Sequence, residues 1–252
     1  MSCEAQSFFD KYPHEYDLLT NAAKREQYHR REVEALTETF RPANVLDAGC
    51  GTGLTSRLFA QQGVAVVGLD RARKMIGLAR DKYAEEGASL SFRYGHFERL
   101  PKAIHGRFDL VVCLANAISG LGTQGKLRLA MKNFRFALKP GGALVLQMLN
   151  YESMADGELF PVKATRNDNI VYIRYAQRRG RQHLLHVVRL DLTTDPVSFE
   201  PFCHETDNFT PQQVVEAAQG VGFVSIRPYR DLYLQKRFIK KSRDFVLVGV
   251  RP

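Results

Sequence analysis

Nine consecutive residues, Val45-Leu-Asp-Ala-Gly-Cys-Gly-Thr-Gly53, constrain this chain more than any other stretch. They lead from a short apolar strand start at Val45-Leu46 into a helical pattern over 54–62. Glycine lets the backbone turn sharply and lets a ligand approach with no Cβ in the way. The N–H groups that open the following helix then face that ligand. Asp47, at the strand end, orders the loop or meets a cationic amine through water. Asp70 follows Gly49 by 21 residues, at the tip of the next strand, Val64–Leu69. An acid there accepts both hydroxyls of a ribose. The plainer reading is a glycine-rich turn followed by a surface acid.

The rest of the chain repeats this strand-to-helix rhythm. Helical spacing over about 21–40 precedes the Arg41-Pro42 break. Residues 72–86 read as a helix, Leu90–Tyr94 as a strand and Phe108–Leu114 as a strong strand. Residues 124–138 carry apolar residues at helical spacing, Pro140-Gly141-Gly142 stops that helix, and Ala143–Leu149 is a buried strand. Alternating strands and helices predict parallel βαβ units with helices on both sheet faces. The rhythm breaks at Asn150. Ile170–Ala176, His183–Leu192 and Val197–Cys203 are β-rich, with a hairpin turn at Arg178-Arg179-Gly180-Arg181. Thr210-Pro211 then caps a last helix, and Phe223–Pro228 and Phe245–Val250 read as final strands.

Composition narrows the class. Hydrophobic residues make up 44% and charged residues 25%, which excludes a disordered or collagen-like chain. No apolar run approaches the ~20 residues that span a bilayer, and the N-terminus lacks a signal-peptide pattern. No membrane association is expected. Cys3, Cys50, Cys113 and Cys203 are widely spaced, with no CxxC pair. They indicate neither a zinc site nor a disulfide framework, no metal is expected, and a reducing, cytoplasmic setting fits. The net charge of +9 is concentrated. Residues 163–189 hold seven basic residues against Asp168, and 227–243 hold seven against Asp231. Two solvated basic faces account for this, and so does an anionic or nucleic-acid partner.

The glycine loop resembles motif I of the class I S-adenosylmethionine (SAM)-dependent methyltransferases, (V/L)LDxGCGTG. A dinucleotide-binding loop would read GxGxxG, whereas here Gly49-x-Gly51-x-Gly53 brings the third glycine one residue early. Val67-Gly-Leu-Asp70 resembles the family's ribose-binding strand end, with Arg71 beside it and Met75 on the next helix. Tyr94-Gly-His-Phe97 resembles the adenine loop, although His96 stands where the family usually has Asp. A neutral His accepts a hydrogen bond from the adenine amino group and His⁺ does not, so the contact passes either to His96 or to the Phe97 backbone. Phe108–Leu114 and Leu138-Lys-Pro-Gly-Gly142 resemble the fourth strand and the turn into the fifth. The likeness is close over about 40–150 and loose over the last forty residues.

Cys113-Leu-Ala-Asn116 and Asn150-Tyr151 are similar to segments of the glycine/sarcosine N-methyltransferase branch. This resemblance implies substrate contacts at Asn116, Asn150 and Tyr151, with Asn150 on a carboxylate, and an Arg from the insertion, for which Arg174 is the nearest candidate. It also implies that Tyr16, with Lys24 or Arg25, closes over the SAM carboxylate. The implied cofactor contacts are Tyr16, Arg25, Asp47, Gly49, Cys50, Gly51, Asp70, Arg71, His96, Phe97 and Leu114, and the product is S-adenosylhomocysteine (SAH).

The expected fold is a three-layer α/β/α Rossmann-like sandwich. Its mostly parallel seven-stranded sheet has an antiparallel last strand, and an antiparallel β-rich insertion is added. The expected domains are an N-terminal helical cap over the cofactor (1–40), a SAM-binding core (41–150 and 209–252) and an insertion acting as a substrate lid (151–208). The expected activity is methyl transfer from SAM to a small molecule, an amine, carboxylate-bearing or hydroxyl compound. Alternatives are an RNA methyltransferase using the basic insertion, and a non-catalytic SAM-binding protein. No catalytic residue is assigned, because an aligned amine needs only to be neutral. His186, Tyr172 and His204 are base candidates for a hydroxyl acceptor. The sequence leaves the acceptor and the oligomeric state open.

Overall fold

A computed structural model describes residues 8–180, 182–207 and 209–252. Arg181, expected in the hairpin turn, and Cys3 lie outside them. The elements in chain order are α1 (Phe8–Lys11), α2 (Tyr16–Thr20), α3 (Ala22–Phe40), β1 (Asn44–Ala48), α4 (Leu54–Ala60), β2 (Ala65–Asp70), α5 (Arg73–Lys82) and β3 (Leu90–Tyr94). Next come β4 (Phe108–Cys113), α6 (Gln124–Ala137), β5 (Leu138–Leu149), β6 (Leu159–Asn167), β7 (Ile170–Arg179), β8 (Gln182–Asp191) and β9 (Ser198–Asp207). The last are α7 (Pro211–Gly220), β10 (Val224–Tyr229) and β11 (Asp244–Val250). Two compact units result: Met1–Arg25 with Met154–Asn208, and Glu26–Ser153 with Phe209–Pro252. The division falls within α3, so residues 26–40 group with the core rather than with the rest of the N-terminal segment.

The core unit holds a seven-stranded sheet in the order β10-β11-β5-β4-β1-β2-β3. β1, β2, β3, β4 and β5 pair in parallel, and β11 runs antiparallel to both neighbours. Its strands are apolar on both faces because helices cover both. Along β4, Val111 and Cys113 join a cluster with Leu127, Met131 and Phe134 of α6 and Val214 and Ala218 of α7. Leu110 and Val112 point the other way, into a cluster with Val33 and Leu36 of α3 and Leu54, Leu58 and Phe59 of α4. Thr210 starts α7 with a reciprocal capping box with Gln213. β5 begins five residues earlier than its apolar run suggests: Gly141, at φ +79°, carries the Lys-Pro-Gly-Gly turn inside the strand.

The second unit is a four-stranded antiparallel sheet in the order β6-β7-β8-β9. The sequence reading has three strands here and misses β6. That strand is exposed at six of its nine residues and carries Pro161 and a register shift between Pro161 and Lys163, so no alternation marks it. Phe8 and Leu19 pack with Tyr172, Val187 and Phe202 on one face of this sheet. Beside them Arg189 donates to both carboxylate oxygens of Glu15, at 2.9 and 3.1 Å, and the Tyr172 hydroxyl donates to the same group. Tyr172 is therefore fully buried and engaged, its hydroxyl held far above the usual phenol range by burial and by Glu15. Cys203 is disulfide-bonded, which corrects the expectation of no disulfide; Cys50 and Cys113 are free thiols. No helix among the described residues is long and apolar enough to cross a membrane.

Candidate functional site

The strand order reverses at β1, which has β2 on one side and β4 on the other. Open α/β sheets bind ligands beyond the carboxyl ends of the strands at such a switch point. The glycine loop leaves β1 there. Gly49 and Cys50 both donate their backbone N–H to Leu69 O, at 2.7 and 3.1 Å, which folds the loop back over β2. Gly49 has φ +88°, and a Cβ on it would lie 2.5 Å from Ala117 Cβ and 3.1 Å from the Phe97 ring. The loops after β1, β3 and β4 thus meet at this glycine. The closest approach to it that the structure shows is protein, a demand the ligand-based reading did not anticipate.

Asp70 closes the loop. Its Oδ2 accepts the Gly51 N–H at 2.9 Å and its Oδ1 accepts the Ala72 N–H at 2.8 Å, at the start of α5. A carboxylate oxygen has two lone pairs, so each still accepts one more hydrogen bond. Asp70 therefore fits a pair of ribose hydroxyls while holding the loop and helix that flank them. Arg71 points elsewhere, donating to Gly120 O at 2.9 Å.

Asp47 is 2% exposed and accepts the Ser56 hydroxyl at 2.6 Å. Burial pushes its carboxyl up to about 6, the Asp70 charge adds to this, and the Ser56 bond opposes it. Ser56 reaches Asp47 across Gly68, where a Cβ would stand 2.9 Å from Ser56 Oγ and 2.6 Å from the Phe92 ring. Neither Ser56 nor Gly68 stood out in the sequence as a site residue. Burial holds the Cys50 thiol well above its ordinary range, so it is a neutral wall group rather than a nucleophile.

In the loop after β3, the Tyr94 hydroxyl lies 3.0 Å from His96 Nε2, and the Arg73 guanidinium lies 3.8 Å from the Tyr94 ring centre. His96 thus already has a partner for one ring nitrogen. Phe97 packs on Phe134, and its carbonyl accepts from Asn133 Nδ2 at 2.8 Å. Leu114 is buried at the end of β4.

After Leu114 the chain adopts two successive left-handed residues, Ala115 at φ +52° and Asn116 at φ +64°. For alanine this costs roughly 1–2 kcal/mol, and neighbouring bonds hold it. Asn116 N–H donates to Gln147 Oε1 at 3.3 Å, and its Oδ1 accepts Leu149 N–H at 3.0 Å. Its Nδ2 donates to the Tyr151 hydroxyl. Gln147 is in turn held by Asp244, at 2.6 Å. Asn150 is 1% exposed, and its Nδ2 donates to Lys240 O and Ser242 O, at 2.9 and 2.8 Å. Both amide hydrogens are spent on the loop before β11. Asn150 positions that loop, and a direct contact with an acceptor carboxylate requires one of these bonds to be exchanged.

In the second unit, Tyr16, Lys24, Arg25, Lys163 and Arg174 form a cationic group of their own. Arg25 lies 5.8 Å from the Tyr16 ring centre, and Lys163 sits opposite Arg174 in the β6–β7 register. Burial, then Arg174, Lys24 and Arg25, hold the Lys163 ammonium below its ordinary value. Burial first, and also Arg25, lower Arg174, against an opposing effect of Tyr16. The Nε atoms of Arg25 and Arg174 are buried without a hydrogen-bond partner. Of the base candidates, His186 stacks on Tyr175 at 4.5 Å.

A family model described as a methyltransferase domain matches residues 45–142. Over this stretch the chain is similar to SAM-dependent methyltransferase domains. The glycine/sarcosine N-methyltransferase of Halorhodospira halochloris is 29% identical over 149 residues, 59% of this chain and 54% of that protein. The Homo sapiens glycine N-methyltransferase is 31% identical over 121 residues, 43% of this chain and 41% of that one. The chain spans about half the length of the curated relatives it matches. The fold is that of CalS10, a SAM-bound amino pentose methyltransferase from Micromonospora echinaspora: 24% identity, TM-score 0.75, over 92% of this chain and 96% of that one.

Proposed function

We propose that this protein transfers a methyl group from SAM to a small-molecule acceptor that carries an anionic group. The carrying observation is the Asp70–Gly51 hydrogen bond, which fixes a GxGxG loop at the switch point with two carboxylate lone pairs to spare. SAM supplies an electrophilic methyl on a sulfonium. The work left to the chain is binding and alignment. Asp70 takes the ribose, the adenine loop at His96 and Phe97 takes the base, and Leu114 and Asn116 bound the acceptor side. Tyr151 belongs to the acceptor, and within the second unit Tyr16, Arg25 and Arg174 are the groups that an anion would meet. The cationic group of the second unit supports the anionic handle, since burial and neighbouring cations lower Lys163 and Arg174, and the Nε atoms of Arg25 and Arg174 are buried without a hydrogen-bond partner. The names of the relatives, acting on glycine and on amino sugars, favour an amine as the accepting atom.

Calorimetry with SAM, SAH and NAD tests the cofactor: binding of NAD without SAM overturns it. Conversion of SAM to SAH over a panel of amino acids, amino sugars and hydroxy acids then tests the acceptor. Arg174→Ala should raise KM for an anionic acceptor while leaving SAM affinity unchanged. One observation favours a second reading, RNA as acceptor. The seven cations of residues 227–243 make no ion pair among the described residues. Salt-dependent retention on RNA, lost when these charges are reversed, would support it.

A further inference from the structure

We infer that Gln147 and Asp244 are positioning residues for methyl transfer: together they hold the turn after β4 in the shape that sets Asn116 and Tyr151 against the acceptor. The inference rests on the proposed reading that an acceptor meets the chain at those two residues. β5 is apolar from Ala143 to Leu149 except at Gln147. On the same face Ala143 and Val145 pack with Val33 and Leu36 of α3, and Gln147 continues that row, half-buried. An amide in such a place is costly unless its oxygen and its nitrogen are both bonded. Here both are. The nitrogen donates to Asp244 Oδ1 at 2.6 Å, and the oxygen accepts the Asn116 N–H at 3.3 Å. An ionised carboxylate only accepts, so Asp244 fixes which end of the amide faces which partner. Gln147 lies opposite Val246 in the β5–β11 register, and Asp244 stands two residues before Val246, on the same face. The side chain therefore links β11, across β5, to the loop that leaves β4.

That loop needs holding. Ala115 and Asn116 are both left-handed, and neither is glycine. Such backbone is strained, and the strain persists only where neighbours over-determine it. Ala117 N–H donates to Leu114 O at 3.1 Å, a tie within the turn. Leu149 N–H donates to Asn116 Oδ1 at 3.0 Å, a tie made by Asn116 itself. Gln147 is the tie that another side chain gives the turn's backbone, and Asp244 keeps it in place. Strained segments of this kind gather at active sites, where they set geometry in advance. Here the turn lies at the carboxyl end of β4, beside β1, with Ala115 exposed and Asn116 donating to the Tyr151 hydroxyl. Once released, the turn relaxes and displaces the Asn116 amide and the Tyr151 hydroxyl. A displacement of about 1 Å in groups that align a reactant costs about a hundredfold in rate. Cofactor affinity should change little, because the glycine loop and Asp70 are tied to β2 and to the start of α5.

The test compares the full chain with Gln147→Leu, Gln147→Glu and Gln147→Glu/Asp244→Asn. Calorimetry reads SAM affinity, and steady-state turnover over the panel of amino acids, amino sugars and hydroxy acids reads kcat and KM. Gln147→Leu leaves the Asn116 N–H without its acceptor, and Gln147→Glu sets two carboxylates against each other. The double variant restores both bonds with one of them reversed. The introduced carboxylate accepts the Asn116 N–H, and the introduced amide donates to that carboxylate. Each single variant should lose at least about tenfold in kcat, with acceptor KM and SAM affinity within about threefold of the parent. The double variant should recover kcat to within about threefold of the parent. The Asn116 amide, read by hydrogen exchange with no acceptor present, should exchange at least about tenfold faster in Gln147→Leu and regain its protection in the double variant. A folded Gln147→Leu that turns over like the parent overturns the inference. So does a double variant no better than Gln147→Glu. A loss of SAM affinity that matches the loss of kcat overturns it too, since a merely structural role gives that result. The parent's own turnover separates this failure from that of the proposed function: a parent that binds SAM and methylates nothing in the panel overturns the proposed acceptor, and the inference with it.

Discussion

Replacing Asp47 by Asn isolates the cost of placing a carboxylate beneath the glycine loop. The buried carboxyl titrates at about 6 in the fold, against an ordinary 3.8. The folded protein therefore holds this proton more tightly than the unfolded chain. Between pH 3.8 and about 6 the folded state binds more protons than the unfolded one, so this group's contribution falls as pH rises and levels off above about 6. The displacement corresponds to about 3 kcal/mol at neutral pH. Asn cannot ionise, and its Oδ1 still accepts the Ser56 hydroxyl. Urea unfolding of the parent and of Asp47→Asn should thus give similar stabilities near pH 4. By pH 7 the variant should gain about 3 kcal/mol over the parent. Taking the difference between the two proteins removes the opposite slopes of Glu15, Asp109 and Glu200, whose carboxyls lie below their ordinary values. A difference that stays flat from pH 4 to 7, or that shrinks as pH rises, would refute the burial argument.

Gly49→Ala should cost about 2–4 kcal/mol in urea and abolish SAM binding by calorimetry, because the residue is left-handed and its methyl would enter the Ala117 contact. Asp70→Ala should weaken SAM at least about a hundredfold and also lower stability by roughly 1–3 kcal/mol, since the Gly51 and Ala72 N–H groups lose their acceptor. Unchanged stability with lost affinity would mean that those two bonds contribute nothing. Arg189→Met should destabilise the second unit by about 3–5 kcal/mol through the stranded Glu15 carboxylate, with Arg189→Met/Glu15→Gln recovering much of the loss. Hydrogen exchange at β7 and β8 amides reads this, and a double variant no better than the single one would contradict it.

The core was legible because its strands are buried on both faces. Phe108–Cys113 reads as an unbroken apolar run, and Leu127, Met131 and Phe134 recur at helical spacing. The glycine loop was legible as a turn from strand to helix, and the acid at the next strand tip, Asp70, does meet it through the Gly51 N–H. What the sequence hid depends on register between distant segments. Asp244 meets Gln147 only because β11 pairs with β5, and Ser56 reaches Asp47 only because Gly68 leaves room between them. Asn150 was legible as a residue at a strand end, but the loop at Lys240 and Ser242 that takes both its amide hydrogens lies ninety residues on in the chain. β6 was missed because a strand with little to bury leaves no alternation to read.

The place of β11 has a consequence for how the chain is made. This strand lies between β5 and β10, and it pairs with β5 at seven successive positions. During synthesis β5 leaves the ribosome first, and the whole four-stranded sheet and α7 follow before its antiparallel neighbour exists. For that interval the nascent core offers an open strand edge backed by Leu144, Val145 and Leu146, all apolar. Its closure is a contact of long sequence separation, the slow kind to form. β11 is thus the strand that seals the sheet, and a ribosome stalled before it releases a chain whose stickiest edge is still uncovered.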